Sequence, residues 1–303
     1  MAAQTQKETT PKLTETSLCD YDDISSTYSA DRKAIGVDLM RRYFFGVKGN
    51  GGGAPILTLL DAGCGTGNYT CALAGSFASV HAGDINEGML REAKHNLLAK
   101  SSEDGSADLV KKVEFSLLDI SAMQFDDASF DCVINCQVIH HLPRDENFAA
   151  LRKACAEWHR VLKPGGKFCM NFNTHRQQLE GVWWGELIPA AVAEWQSKAP
   201  DLEDVKAALL AAGFAEDNIR FEPVIGESLY DDALYLEPKN FLDINKFSRS
   251  DSTFALASED ELTAAVARVK SMEDAGTLHA WFLEKESHRA KIGMTTMVYA
   301  TKN

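Results

Sequence analysis

Residues 56–67 read ILTLLDAGCGTG. Four of the five residues before Asp61 are strongly apolar, the pattern of a strand buried on both faces of a parallel sheet. After Asp61, glycines occupy every second position (Gly63, Gly65 and Gly67), which predicts a sharp strand-to-helix turn. With no Cβ in the way, the backbone of such a turn can lie against a ligand. A strand running into a glycine-rich turn marks a nucleotide-type site at the carboxyl edge of a doubly wound sheet.

The spacing and charge of the turn narrow the ligand. The dinucleotide fingerprint G-x-G-x-x-G seats a pyrophosphate at a helix N-terminus. Here its last glycine position is Asn68, and the third glycine comes one residue early. Asp61, immediately before the loop, would repel a pyrophosphate and attract a cation. S-adenosylmethionine carries an ammonium and a sulfonium and no phosphate. At these residues the chain resembles the class I S-adenosylmethionine-dependent methyltransferases, whose first motif is an acidic residue followed by G-x-G-x-G. The resemblance implies S-adenosylmethionine as cofactor, held by Asp61, Gly63, Cys64, Gly65 and Gly67.

A second strand should then end in an acid that grips the ribose hydroxyls, and SVHAGD supplies Asp84, 23 residues after Asp61. A carboxylate suits a cis-diol because each oxygen can accept a hydroxyl hydrogen. Asn86 is placed to cap the next helix, and by resemblance Ile85 and Met89 lie against the adenine. The third strand, in KKVEFSLLD, alternates Val113, Phe115 and Leu117 before Asp119. Resemblance assigns Asp119 to the adenine amino group, and Ile120 and Gln137 complete the expected cofactor set. Asp131–Asn135 reads as a fourth, buried strand, and LKPGGKFCMNF (162–172) turns at Pro164-Gly165-Gly166 into a fifth.

With 303 residues and 45% apolar content, the chain can build a large core. Its net charge of −13 argues against nucleic acid, whose phosphates call for a basic face. Seven cysteines are scattered without a C-x-x-C pair, as in a reduced intracellular protein. No apolar run approaches the length of a membrane span. Residues 1–18 are polar and Thr-rich and read as a disordered tail, so the expectation is a cytoplasmic enzyme with no membrane partner.

Residues 19–303 are expected to form a single domain: an α/β, doubly wound, mostly parallel seven-stranded sheet of the Rossmann-like methyltransferase type. Residues 20–47 predict an N-terminal helical cover, and resemblance brings Tyr28 and Arg32 near the methionine end of the cofactor. DLEDVKAALLAAGF (201–214) is a helix capped by Asp201 and stopped by Gly213. A sixth strand is predicted to alternate from Ile219 to Tyr230, and MTTMVYATK supplies a distant seventh. Residues 229–290 form an insertion between them, read as a helical lid over the substrate. Its helices are predicted at 259–275 and 277–289, the first opened by a Ser258–Glu261 capping box.

Methyl transfer from a sulfonium is an in-line displacement, so the protein must chiefly align the reactants and exclude water. A base is needed when the acceptor is a hydroxyl or a protonated amine. The candidates are His140 and His141, predicted on a helix just after strand four. Glutamine at 137 is a poor metal ligand, so no metal is expected. Trp184 is a candidate aromatic face for substrate, and Arg249 or Arg289 for an acceptor carboxylate. The acceptor is read as a small molecule methylated on N, O or S. The alternatives are a non-catalytic methyltransferase-like binding protein and a nicotinamide-dependent oxidoreductase.

Overall fold

The computed structural model describes residues 32–46, 56–106, 108–143 and 145–303. The expected tail and Tyr28 lie outside the described residues. Seven strands, β1 (Thr58–Ala62), β2 (Ser79–Asp84), β3 (Val113–Leu117), β4 (Phe130–Cys136), β5 (Leu162–Phe172), β6 (Arg220–Pro223) and β7 (Thr296–Thr301), form one sheet. Their order is β3-β2-β1-β4-β5-β7-β6. β1 to β5 are mutually parallel, and β7 runs antiparallel to both β5 and β6. The direction of winding reverses between β1 and β4. A crevice opens there at the carboxyl ends, where open α/β sheets bind ligands.

Alternate residues of the central strands feed two cores. Leu59, Val80, Cys132 and Ile134 face one side, and Leu60, Val133, Phe168 and Met170 the other. The helices longer than one turn follow as α1 (Val37–Phe45), α2 (Asn68–Leu73), α3 (Glu87–Glu103), α4 (Ala149–Val161), α5 (His175–Glu180), α6 (Pro189–Lys198), α7 (Leu202–Ala212), α8 (Glu259–Asp274) and α9 (Leu278–Ile292). Of the expected N-terminal cover, the described part is a short extended stretch from Arg32, then Gly36 in left-handed conformation, then α1. No helix among the described residues is long and apolar enough to cross a membrane.

Three local expectations are corrected. β6 stops at Pro223, which has no N–H for the ladder, and Gly226 then turns the chain at φ +84°. In β3, Leu117 is 55% exposed while Leu118 is buried, because Leu118 packs onto Gly83, where a Cβ would lie 2.5 Å from it. Ser258 does cap α8, accepting from Glu261 N, but the Glu261 carboxylate does not return to close the box. It reaches across to accept from Ala190 N and Ala191 N and so caps the start of α6.

That contact ties the β6–β7 segment to the sheet's helical layer. Trp183, Tyr235, Phe241, Phe247 and Phe282 interlock over the same face, joined by Trp184, Tyr230 and Phe254. Burying rings of this size contributes about 1.5–3 kcal/mol each. The aromatic content of this segment therefore serves as its core.

Candidate active site

The glycine turn is pinned from below. The amides of Gly63 and Cys64 both donate to the Gly83 carbonyl, at 2.7 and 2.9 Å, which locks β1 to the end of β2. The Gly65 amide donates to Asp84 Oδ2 at 2.9 Å. Gly65 has φ +52°, and a Cβ built there would meet nothing within 4 Å. Its glycine keeps open space at the mouth of the crevice. At Gly63 (φ +88°) a Cβ would instead lie 2.7 Å from Val138. Gly63 thus lets the loop after β1 and the loop after β4 touch. Burial holds the Cys64 thiol well above its ordinary pKa, so it is inert.

Asp61 is fully buried beneath the turn. Thr70 Oγ1 donates to its Oδ2 at 2.6 Å, while Oδ1 is buried with no hydrogen-bond partner. Burial, with a further push from the nearby Asp84 charge, raises its pKa to about 7. A half-satisfied buried carboxylate of this kind favours an added cation.

Asp84 ends β2 and accepts from Asn86 N at 2.9 Å as well as from Gly65 N. Burial raises its pKa, and these backbone donors oppose the rise. Asn86 caps α3 through Met89 N at 2.8 Å, as expected. Ile85 is half exposed beside the turn, and Met89 is buried behind it. Asp119 is exposed beyond the end of β3, its Oδ1 accepting from Ser121 N and Oγ at 2.8 and 2.7 Å. Ile120 is buried in the core with Leu60 and Ala62.

Beyond β4, Gln137 adopts φ +59°, and its Nε2 donates to Asn171 Oδ1 at 3.2 Å. The two histidines follow on a 3-10 turn, Ile139–His141, and not on the expected helix, because Leu142 and Pro143 return the chain to extended backbone. Their rings lie 3.9 Å apart. Burial, then the Arg32 charge, pulls the His140 pKa down to about 3; burial and its neighbour pull His141 well below its ordinary value. Both imidazoles are neutral near pH 7 and weak as bases.

Arg32 crosses the front of this turn. Its guanidinium pairs with Asp251 Oδ2 at 3.0 Å and lies 4.6 Å above the Tyr230 ring, whose hydroxyl donates to the same oxygen at 2.7 Å. Asn68 Nδ2, one residue past the glycine turn, donates to the Arg32 carbonyl at 3.1 Å. Gln137, His140, Asn173, Gln178, Trp195, Asp251 and Ser252, with Arg32, line a cavity of about 10 Å³. A larger cleft of about 460 Å³, lined by Asp145, Phe148, Arg152 and Asp204, lies against the outer helices α4 and α7 and shares none of these residues.

Sequence reasoning thus brought Asp61, the glycines, Asp84, Ile85, Gln137, His140 and Arg32 to one crevice. Trp184 is fully buried against Phe254, Arg249 is exposed on the β6–β7 segment, and Arg289 pairs with Glu286 at 2.6 Å; none of the three lines the cavity. Asn135, Asn171, Asn173 and Asp251 were missed. The first three were legible as amides in or just past otherwise apolar strands, CVINC and FCMNFN, where a buried polar group must find a partner.

A methyltransferase-domain family matches residues 60–170. A demethylmenaquinone methyltransferase of Clavibacter sepedonicus is 31% identical over 217 residues, covering 64% of this chain and 80% of its own. A ubiquinone/menaquinone biosynthesis C-methyltransferase of Rickettsia bellii is 34% identical over 128 residues, covering 40% of this chain and 46% of its own. The solved structure of a putative methyltransferase from an antibiotic biosynthesis pathway of Anabaena variabilis superposes with a TM-score of 0.63 at 18% identity, covering 88% of this chain and 96% of its own. That likeness confirms the fold. The chain belongs to the class I S-adenosylmethionine-dependent methyltransferases. It is an enzyme whose methyl donor is S-adenosylmethionine, and the oxidoreductase alternative has no support among its relatives.

Proposed function

We propose that this methyltransferase acts on a small-molecule acceptor, which enters beside the Gln137–His141 turn, with residues 229–290 of the single domain serving as the substrate lid. When bound, S-adenosylmethionine supplies an electrophilic methyl on a sulfonium. The observation that carries the placement is the unpartnered Oδ1 of buried Asp61 below the open space at Gly65. Asp61 would hold the ammonium, and the Gly65 backbone would face the ligand directly. Asp84 would accept from the ribose hydroxyls, with Ile85 and Met89 beside the adenine and Asp119 within reach of its amino group.

The chain's remaining work is alignment and exclusion of water. His140, held neutral, positions the acceptor by hydrogen bonding. The charge of −13 favours a small acceptor over nucleic acid, and the unpaired, mostly buried cysteines among the described residues support a cytoplasmic setting. Calorimetric titration tests the reading. Tight binding of S-adenosylhomocysteine without binding of NADH is the expected result; no heat with the S-adenosyl ligand would remove it.

A further inference from the structure

The cavity behind the glycine turn is lined by two residues that each carry a buried hydrogen-bond acceptor with no partner, Asn173 and His140. Asp251 is engaged through both oxygens: Oδ2 takes Arg32 and Tyr230, and Oδ1 takes Thr253 N at 2.8 Å. Gln178 is engaged at both ends of its amide, accepting from Asn173 Nδ2 at 2.9 Å and donating to Thr253 Oγ1 at 2.7 Å. In the structure the Asn173 amide turns its Nδ2 towards Gln178 and its Oδ1 away from that bond. The Asn173 Oδ1 is then left buried with no partner, in a residue only 5% exposed. His140 Nδ1 is likewise shielded and unpartnered. The neutral imidazole can offer Nδ1 as an acceptor by keeping its proton on Nε2.

Two unpartnered acceptors in one small cavity call for a group with two hydrogens. The cavity of about 10 Å³ has room for about one heavy atom with its hydrogens. It adjoins the donor's site, because Val138 of the same turn packs against Gly63, and Arg32 in its wall is bonded to Asn68.

Resting on the methyltransferase reading above, we propose that the methyl acceptor is a primary amine whose nitrogen occupies this cavity. Its two N–H bonds point to Asn173 Oδ1 and His140 Nδ1, which leaves the lone pair free. That lone pair forms the N–CH3 bond as the CH3–S bond breaks, its electrons staying on sulfur, and the product ammonium loses its extra proton to solvent. A hydroxyl satisfies one acceptor, and a tertiary amine or thioether satisfies neither. Leaving a buried acceptor unpaired lowers kcat/KM by about tenfold or more.

Methylamine, dimethylamine, trimethylamine and dimethyl sulfide probe the cavity without assuming a scaffold. They are offered with labelled S-adenosylmethionine near pH 9, where amines of pKa about 10.4 retain a neutral fraction. Methylamine should be methylated at least about tenfold faster than dimethylamine, with trimethylamine and dimethyl sulfide inert. Asn173→Leu should raise KM for methylamine at least about tenfold more than it changes kcat. Nitrogen-15 NMR of labelled histidine in the protein loaded with S-adenosylhomocysteine should show His140 Nδ1 unprotonated and shifted by methylamine but not by trimethylamine.

Equal use of the four probes, turnover of the sulfide, or a protonated Nδ1 overturns the proposal. So does a cavity that responds to none of them while S-adenosylhomocysteine binds tightly, which would mark Asn173 and His140 as holders of a structural water. Failure of S-adenosylhomocysteine to bind would instead remove the methyltransferase reading itself.

Discussion

The amide of Gly65 and the carboxylate of Asp84 are joined by a 2.9 Å hydrogen bond, so the open point of the cofactor turn is held by the acid that ends the second strand. One residue therefore shapes the loop and, in the proposed site, grips the ribose. Asp84→Asn keeps the acceptor oxygen for one backbone N–H but loses the charge. We expect S-adenosylhomocysteine affinity to fall at least about tenfold, with Asp84→Ala losing thermal stability as well. Calorimetry with a parallel melting curve separates the two effects; unchanged affinity in both variants would detach Asp84 from the ligand.

If Asp61 holds the ligand ammonium as proposed, cofactor binding depends on pH. Its carboxyl is raised to about 7 by burial, so below pH 7 the free protein holds it mostly protonated. A ligand ammonium at Oδ1 favours the ionised form, and binding must then expel a proton. S-adenosylhomocysteine Kd is expected to be flat above pH 7 and to rise by up to about tenfold per pH unit below it. Asp61→Asn should flatten the profile. A wild-type Kd indifferent to pH between 5 and 8 would separate this carboxylate from the ligand's ammonium.

The Arg32–Asp251 pair joins the N-terminal strap to the β6–β7 segment, with both side chains largely buried. Removing one partner strands the other charge, at a cost of about 3 kcal/mol. We expect Arg32→Met to destabilise by roughly that amount and the double variant Arg32→Met, Asp251→Asn to cost less than the two single changes added together. Urea unfolding of the four proteins measures the coupling, and strict additivity would show the pair to be unimportant.

His140 and His141 carry an acid liability. The folded pKa of each is depressed, to about 3 for His140, so between there and about 6.5 the unfolded chain binds more protons than the folded one. Their contribution is full above pH 6.5 and is lost as pH falls, at up to about 1.4 kcal/mol per pH unit for each imidazole. Asp61, with a raised folded pKa, contributes the opposite slope between its ordinary value of 3.8 and about 7. The informative quantity is thus the difference between wild type and His140→Gln. That difference should shrink as pH falls from 7 to 5; a constant difference would place the ring in water.

The fold was readable because its signals are local. The apolar strand before Asp61, the glycines after it and the L-K-P-G-G phrase each specify backbone geometry within a few residues. The place of Asp84 at the end of the second strand was readable from its spacing together with the glycine turn. Asp251 was not: it acquires its meaning from Arg32, which lies 219 positions away. The same holds for Asn173, whose unpartnered oxygen shows only once Gln178 is seen accepting from its amide nitrogen. Trp184 misled for a related reason, since an aromatic ring looks the same in sequence whether it faces a ligand or fills a core. Leu117 misled because alternation says which residues share a face but not how far a neighbouring helix covers it.

The final strand has a consequence for how the molecule is made. β7 lies between β5 and β6, so β6 touches the sheet only through a strand that leaves the ribosome more than seventy residues later. As the chain emerges, β1 to β5 and the glycine turn can assemble first. β6 must wait, together with everything between it and β7, for the last piece of the sheet to slot in. On the proposed reading, the half of the molecule assigned to the methyl donor is thus complete while the half assigned to the acceptor is still being threaded.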